Sequence, residues 1–379
     1  MTPNIDPRTS TTFRLALDRS CKEDAMRYSD GLSKYLAAKV LTLEATKQSH
    51  DGLMQELEFL KKIASCEDIN SLPILRDNFE IQGPRGSHLC FVMDLLSTDV
   101  SSYRRSAPKK ALPPHTVKAI VIQVLEALTQ LHELGIIHTD LKLDNILFNS
   151  ITTDEHIDQY LEANPVVIDG EYDLDGQSYP ILHSQPIQHA FSWDVPPLTA
   201  EVMNFTLVDL GQGQWAGRQP TINMFSAYFL RAPELILQSD FGPKIDIWAL
   251  GCVTFEMLTG RWLFTPEEGE DWRLEDDHLA KMMELTGERF TSSMLERAFR
   301  RDEYFDTNGN LLRIDGLQPM PLEAALANYK IVPEGEIGAA ASFMRACLRL
   351  DVNDRASAAD LSMHPWLRTA SCEHYHSAT

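Results

Sequence analysis

Residues 137–147 read IHTDLKLDNIL, with apolar pairs enclosing Asp140, Lys142 and Asn145. A buried polar group costs on the order of several kcal/mol unless it is hydrogen-bonded. A chain keeps so much polarity between apolar flanks only where the fold satisfies it or chemistry uses it. The stretch therefore dictates an interior polar turn around which the rest must be built.

The surrounding pattern changes character along the chain. Residues 11–17 and 35–41 (YLAAKVL) read as strands, and 88–95 (HLCFVMDL) as a buried strand. Leu53, Leu57, Leu60 and Ile63 recur at helical spacing and predict a helix over 51–65. Residues 1–95 are thus mixed strand and helix, and from 96 the pattern is helical. A long helix is predicted over 115–134, stopped by Gly135, and a buried one over 244–259 (KIDIWALGCVTFEMLT). Further helices are expected at 276–286, 292–299, 336–348 and 356–363. Residues 150–203, rich in Asp, Pro, Ser and Gln, show weak periodicity and predict an irregular surface insertion. No internal repeat is visible. A chain of 379 residues can form two lobes, each with its own core.

Net charge is −21, which argues against non-specific binding to nucleic acid or an anionic membrane and is compatible with a basic protein partner. The six cysteines form no CxxC pair and have no accompanying His cluster, which disfavours a zinc site and suits a reducing compartment. No apolar run reaches the ~18 residues of a membrane span, and the N-terminus lacks the regions of a signal peptide. These features predict a soluble protein of the cytoplasm or nucleus.

Phosphoryl transfer asks for a carboxylate to orient the attacking hydroxyl, oxygen ligands for Mg²⁺ and a cation on the nucleotide phosphates. Those residue types occur in order. Asp140 is the candidate base, and Lys142 is placed to contact the transferred group. Asn145 is a hard amide-oxygen ligand suited to Mg²⁺. Asp209 ends the apolar run of LVDLGQG, Lys39 lies on an early strand, and Glu56 lies on the helix after it, placed to pair with that lysine.

Six ordered motifs make the chain resemble the protein kinases. LAAKV resembles the strand carrying the phosphate-binding lysine, IHTDLKLDN the catalytic loop, and DLG the metal-binding motif. RAPE at 231–234, DIWALG at 246–251, and DRAS with HPWL at 354–367 match the later landmarks. The resemblance implies an α+β fold of two lobes, a small β-rich lobe over 1–95 and a helical lobe over 96–379. It implies ATP and Mg²⁺ between them, with Asn145 and Asp209 as the metal ligands. Ala37 and Leu147 would sandwich the adenine, Met93 would stand behind it, and the backbone of Asp94 to Leu96 would meet its edge. Glu234 with Arg355, and Asp246 beneath the catalytic loop, carry structural roles in this family.

HTD together with DLG narrows the resemblance to the SR-protein kinases, which phosphorylate serines in Arg–Ser-rich proteins. Residues 264–330 resemble that family's insert, and 150–203 lie where it carries a spacer. Thr139 stands where most kinases have the Arg that answers a phosphate on the activation loop, so activity is expected without such phosphorylation. Asp277 and Glu284 match two acidic positions of the family's docking groove, and Arg261 stands at a third, a charge reversal. The implied partner is a basic or Arg–Ser-rich protein substrate, and the implied state a monomer.

Two departures stand out. Where a Gly-rich loop is expected, DPRTS precedes the strand TTFRLALD, Phe13 replaces the valine that roofs the adenine, and the first strand is not seen. A truncated sequence or a pseudokinase scaffold holding basic partners would each account for this. Before RAPE, Ala227 or Ser226 takes the place of a bridging Thr. A small-molecule phosphotransferase shares the catalytic-loop pattern but lacks RAPE, DIWALG and DRAS.

Overall fold

The structure is a computed structural model that describes residues 13–18 (backbone only), 35–149, 153–174, 176–222 and 225–368. The DPRTS stretch and the Phe13 side chain lie outside the described residues.

Strands β1 (Phe13–Asp18), β2 (Tyr35–Val40), β3 (Leu75–Gly83) and β4 (Gly86–Asp94) form an antiparallel sheet in the order β1-β2-β4-β3. In β2, Ala37 pairs with Met93 and Lys39 with Phe91 of β4. Two helices follow β2. The first, α1 (Leu43–His50), starts where Thr42 Oγ1 accepts from Ala45 N at 3.1 Å. The second, α2 (Glu56–Ala64), buries Glu56, Phe59, Leu60 and Ile63 on one face. The helix expected over 51–65 is therefore shorter: α1 ends before it, Gly52 turns the chain at φ +72°, and Leu53 stands 49% exposed outside any helix. Its helical spacing to Leu57 is a coincidence of the turn.

Beyond β5 (Leu96–Asp99) and α3 (Val100–Ser106) the chain is mainly helical. Helix α4 (Pro114–Glu133) buries Val117, Ile120, Val121, Val124, Leu125, Leu128 and Leu131, and Gly135 closes it at φ +74°. Short strands β6 (Ile136–Ile137) and β7 (Ile146–Asn149) flank the polar turn.

The segment after β7 corrects the expectation of an irregular insertion. It holds α5 (Asp154–Ala163), the hairpin β8 (Ile168–Leu174) and β9 (Gln177–Leu182), and α6 (Pro197–Ala200). Its end is core, since Val195, Ala200 and Met203 are buried. Single buried positions separated by polar residues give no periodic signal, so this anchoring is invisible in sequence. Strand β10 (Phe205–Leu207) then pairs with β7, and β11 (Gln214–Trp215) with β6.

After α7 (Pro233–Leu237), helix α8 (Lys244–Thr259) is buried at every residue from Ile245 to Thr259, as its scarcity of charge predicts. Around it stand α9 (Leu274–Thr286), α10 (Ser292–Glu296), α11 (Arg301–Tyr304), α12 (Leu322–Asn328), α13 (Glu334–Cys347), α14 (Ala358–Ser362) and α15 (Pro365–Arg368). The architecture is α+β, with a strand-rich and a helical part. Among the described residues no helix is long and apolar enough to cross a membrane.

Candidate active site

A cleft of about 610 Å³ runs between the sheet β1–β4 and the helical part. Ala37, Lys39, Glu56, Met93, Asp94, Leu96, Asn145, Leu147 and Asp209 all line it. Small alanines on β2, with Met93 and Leu147, make up apolar lining, and Lys39, Glu56, Asn145 and Asp209 supply polar groups to the same cleft.

Those groups are tightly joined. Lys39 Nζ donates to both oxygens of Glu56, at 2.7 and 2.9 Å, and to Asp209 Oδ1 at 2.7 Å. Burial pulls the lysine's pKa down, but Glu56 and Asp209 together outweigh it and hold the ammonium above its usual range. Burial raises the carboxyl of Glu56, with Lys39 opposing. The Lys39 charge holds Asp209 down to about 2, so this carboxylate stays ionised.

Across the cleft stands the polar turn. Asp140 is 4% exposed. Its Oδ2 accepts from Lys142 Nζ at 2.6 Å and Asn145 Nδ2 at 3.3 Å, and its carbonyl from Asn145 Nδ2 at 2.9 Å. Asp246, 1% exposed at the start of α8, braces the turn by accepting from His138 N at 2.9 Å and Thr139 N at 2.8 Å, and its Oδ2 lies 2.9 Å from His132 Nε2. Buried His138 places Nε2 3.0 Å from the Val208 carbonyl, next to Asp209. Thr139 is held at φ +66°, a strained conformation for a β-branched residue. Its hydroxyl donates to the Gln212 carbonyl at 2.8 Å, and its own carbonyl accepts from Ser226 Oγ. Thus Ser226 meets the backbone of the turn, and not the Asp140 carboxylate.

Contacts at and just before α2 had no signal in the sequence because they depend on the path of the segment after Asp209. Thr221 Oγ1 donates to the Leu53 carbonyl at 2.8 Å, and Thr221 N donates to Gln214 Oε1 at 2.8 Å. Trp215 packs edge-on against Phe59 at 4.9 Å, with Lys62 Nζ 4.9 Å over its ring. A Cβ at Gly213 would stand 2.8 Å from the Phe59 ring, so only glycine lets the segment approach α2 so closely.

Deeper in the helical part, Glu234 and Arg355 form a buried bidentate pair at 2.6 and 3.0 Å. Asp277 and Glu284 both lie on α9, but their carboxylates serve their own chain. Asp277 accepts from Glu267 N at 2.7 Å and pairs with Lys281 at 2.8 Å, and Glu284 accepts from Gln318 N at 2.6 Å.

The donor set fits Mg²⁺. This ion takes one or two protein oxygens and completes its shell with phosphate and water, and Asp209 offers an ionised carboxylate in the same cleft as Asn145. Among the described residues no cluster of three or more His, Cys, Asp or Glu could hold a metal by itself.

A lysine gripped by a helix carboxylate, in one cleft with the asparagine of a braced Asp–Lys–Asn turn, is the arrangement that kinase-type phosphoryl transfer asks for. The sequence profile of the protein kinase domain matches residues 26–158 and 197–367, and the chain belongs to the protein kinase family, with its two-lobed α+β fold. The unmatched stretch, 159–196, falls inside the insertion. A serine/threonine-protein kinase SRPK of Physarum polycephalum is 30% identical over 339 residues, covering 86% of this chain and 78% of its own. Protein kinase dsk1 of Schizosaccharomyces pombe is 26% identical over 445 residues, covering 94% and 78%. SRSF protein kinase 3 of Homo sapiens is 32% identical over 171 residues, covering 45% and 30%. Within the family this serine/threonine protein kinase resembles the SR-protein kinases.

Proposed function

We propose that the protein transfers the γ-phosphate of Mg-ATP to serine or threonine in protein substrates, with Arg–Ser-rich proteins of the cytoplasm or nucleus as the substrate class. The observation that carries this reading is Lys39 held by Glu56 and Asp209 in one cleft with Asn145, whose amide donates to Asp140, itself paired with Lys142.

Each residue then has a task. Ala37 and Leu147 close on the adenine, with Met93 behind it and the backbone of Asp94 to Leu96 along its edge, where the strand-rich and helical lobes meet. Lys39, kept in place by Glu56, neutralises the α- and β-phosphates. Asn145 and Asp209 hold Mg²⁺, which neutralises the charge developing on the phosphates. Asp140 orients the substrate hydroxyl and accepts its proton. Lys142 steadies the group in transit. Thr139, carrying no charge, leaves activity independent of a phosphate on the activation segment.

Radiolabelled γ-phosphate transfer from Mg-ATP to an Arg–Ser-rich peptide tests the reading, with Asp140→Ala as control. Transfer that disappears in the variant is the expected result. Absence of transfer to that peptide and to a general basic protein, alongside a Mg-ATP thermal shift of zero, overturns it.

A further inference from the structure

The chain carries 55 acidic against 34 basic residues, yet one face beside the polar turn is cationic. Arg104 organises it. Its guanidinium reaches from α3 to Glu256 of α8 at 2.6 Å and donates to the Lys110 carbonyl at 2.8 Å. The turn 108–110 thereby lies against the end of α8. At Gly260 it passes so close that a Cβ would stand 2.2 Å from the Lys109 carbonyl. Arg105, Lys109, Lys110 and Arg261 all emerge exposed from these segments.

None of these four cations has a carboxylate partner among the described residues; Arg105 donates to Ser101 and Ser102, and Arg261 to the Gly260 carbonyl. Glu256, the nearby carboxylate, is taken by Arg104, and exposed Asp144 stands at the border on the polar turn. Lys109 and Lys110 are both held in the left-handed region, at φ +60° and +59°. Such strain persists only where surrounding structure imposes it.

An apolar feature adjoins the cations. Trp262, next to Arg261 and 49% exposed, stacks on Phe229 with ring centroids 4.2 Å apart and planes 18° apart. Phe229 lies two residues before Arg231 of RAPE, so the stack borders the segment that faces the polar turn. An exposed Trp262 stacked on a half-buried Phe229 and flanked by unpaired cations fits a peptide that brings carboxylates and an apolar side chain together.

We propose that Arg105, Lys109, Lys110 and Arg261, with the Trp262–Phe229 stack, dock an acidic segment of the protein substrate containing an apolar residue. This rests on the reading of the chain as a protein kinase and refines its substrate class. The substrate is of mixed charge, acidic where it crosses this face, and not an unbroken Arg–Ser repeat. The α9 side is the counterpart, because the carboxylates of Asp277 and Glu284 are already engaged within the chain.

Fluorescence anisotropy on the full chain tests this without needing turnover. The probes are fluorescein-labelled peptides of one length, each with one Leu, built on Glu, Gln, Arg or phosphoserine. The Glu peptide is expected to bind more tightly than the Gln and Arg peptides. Its affinity should fall roughly tenfold in Arg261→Glu and in Lys109→Glu/Lys110→Glu, with strong salt dependence. It should be unchanged in Asp140→Asn, and each variant should keep its melting temperature. A conservative Arg261→Lys should retain most of the affinity. Equal binding of the Glu and Gln peptides, equal binding by both charge-reversed variants, or tighter binding of the Arg peptide overturns the proposal. A phosphoserine peptide binding roughly tenfold tighter than the Glu peptide overturns the carboxylate assignment in favour of phosphate. Peptide binding without phosphoryl transfer to any protein would refute the kinase reading while leaving the docking face intact.

Discussion

The Thr221 hydroxyl donates to the Leu53 carbonyl at 2.8 Å, joining the segment that follows Asp209 to the turn entering α2. Because α2 carries Glu56, this bond and the Phe59–Trp215 contact bear on whether Lys39 is gripped. Thr139 supplies a second neutral tie, to the Gln212 carbonyl. Hydroxyls and an indole make these ties.

Replacing Thr221 by Val should therefore loosen α2. Loss of one such hydrogen bond costs ~1 kcal/mol, about a fivefold shift in an equilibrium. We expect phosphoryl transfer at saturating ATP to fall by about that factor. Amide exchange at residues 53–57 should accelerate in parallel, and Thr221→Ser should restore both. Unchanged exchange in the Val variant would show that Trp215 alone sets the helix.

Asp209 gives a pH dependence of known sign. Lys39 depresses its carboxyl from a usual 3.8 to about 2. A carboxylate depressed in the folded state contributes stability above its unfolded value, and that contribution fades as pH falls towards the folded one. The melting-temperature gap between wild type and Asp209→Asn should be widest above about pH 5 and should narrow as pH is lowered below 4. A gap that widens on acidification would contradict the ion pair.

How far the sequence led is best judged from particular elements. Helices α4 and α8 were legible because length and continuous apolar character admit one reading. The short, polar α1 was missed although Thr42 is a proper N-cap, and β3 (LRDNFEIQG) was missed because its alternation is weak. In the site, Lys39, Glu56, Asp140, Lys142, Asn145 and Asp209 sit in motifs whose order could be recognised; Lys39, Glu56, Asn145 and Asp209 line one cleft, and Asp140 and Lys142 join it through hydrogen bonds to one another and to Asn145. Thr221, Gln214 and Trp215 carried no motif, since their contacts depend on the path of the segment after Asp209. The cationic face was hidden for the same reason: Lys109 and Arg261 are far apart in sequence and meet only through Arg104 and Gly260.

Arg355 is fully buried, donating to both oxygens of Glu234 and to the carbonyls of Arg349 and Lys244, and lying 5.1 Å over Trp248. Removing one partner of such a pair leaves a buried charge and costs ~3–5 kcal/mol. Glu234→Ala and Arg355→Ala should each lower the denaturant midpoint strongly. The double variant should recover part of the loss, because no unpaired charge remains. A strictly additive double variant would show that the pair acts through packing alone.

The insertion should divide into a dispensable and an essential part. In the hairpin β8–β9, Ile168, Tyr172 and Ile181 are 59%, 57% and 48% exposed. A two-stranded hairpin adds little stability of its own. Its ends already adjoin, since His183 N donates to the Val167 carbonyl at 2.8 Å, so a short Gly–Ser link can replace the residues between them without moving the flanks. That deletion should leave the melting temperature within about 1 °C of wild type. Met203 behaves oppositely. It is fully buried, and its carbonyl accepts from Gln123 of α4 at 2.7 Å. Met203→Ala should cost ~2–5 kcal/mol through the cavity it leaves. A hairpin deletion that destabilises as much as Met203→Ala would mean that the hairpin packs against the core after all.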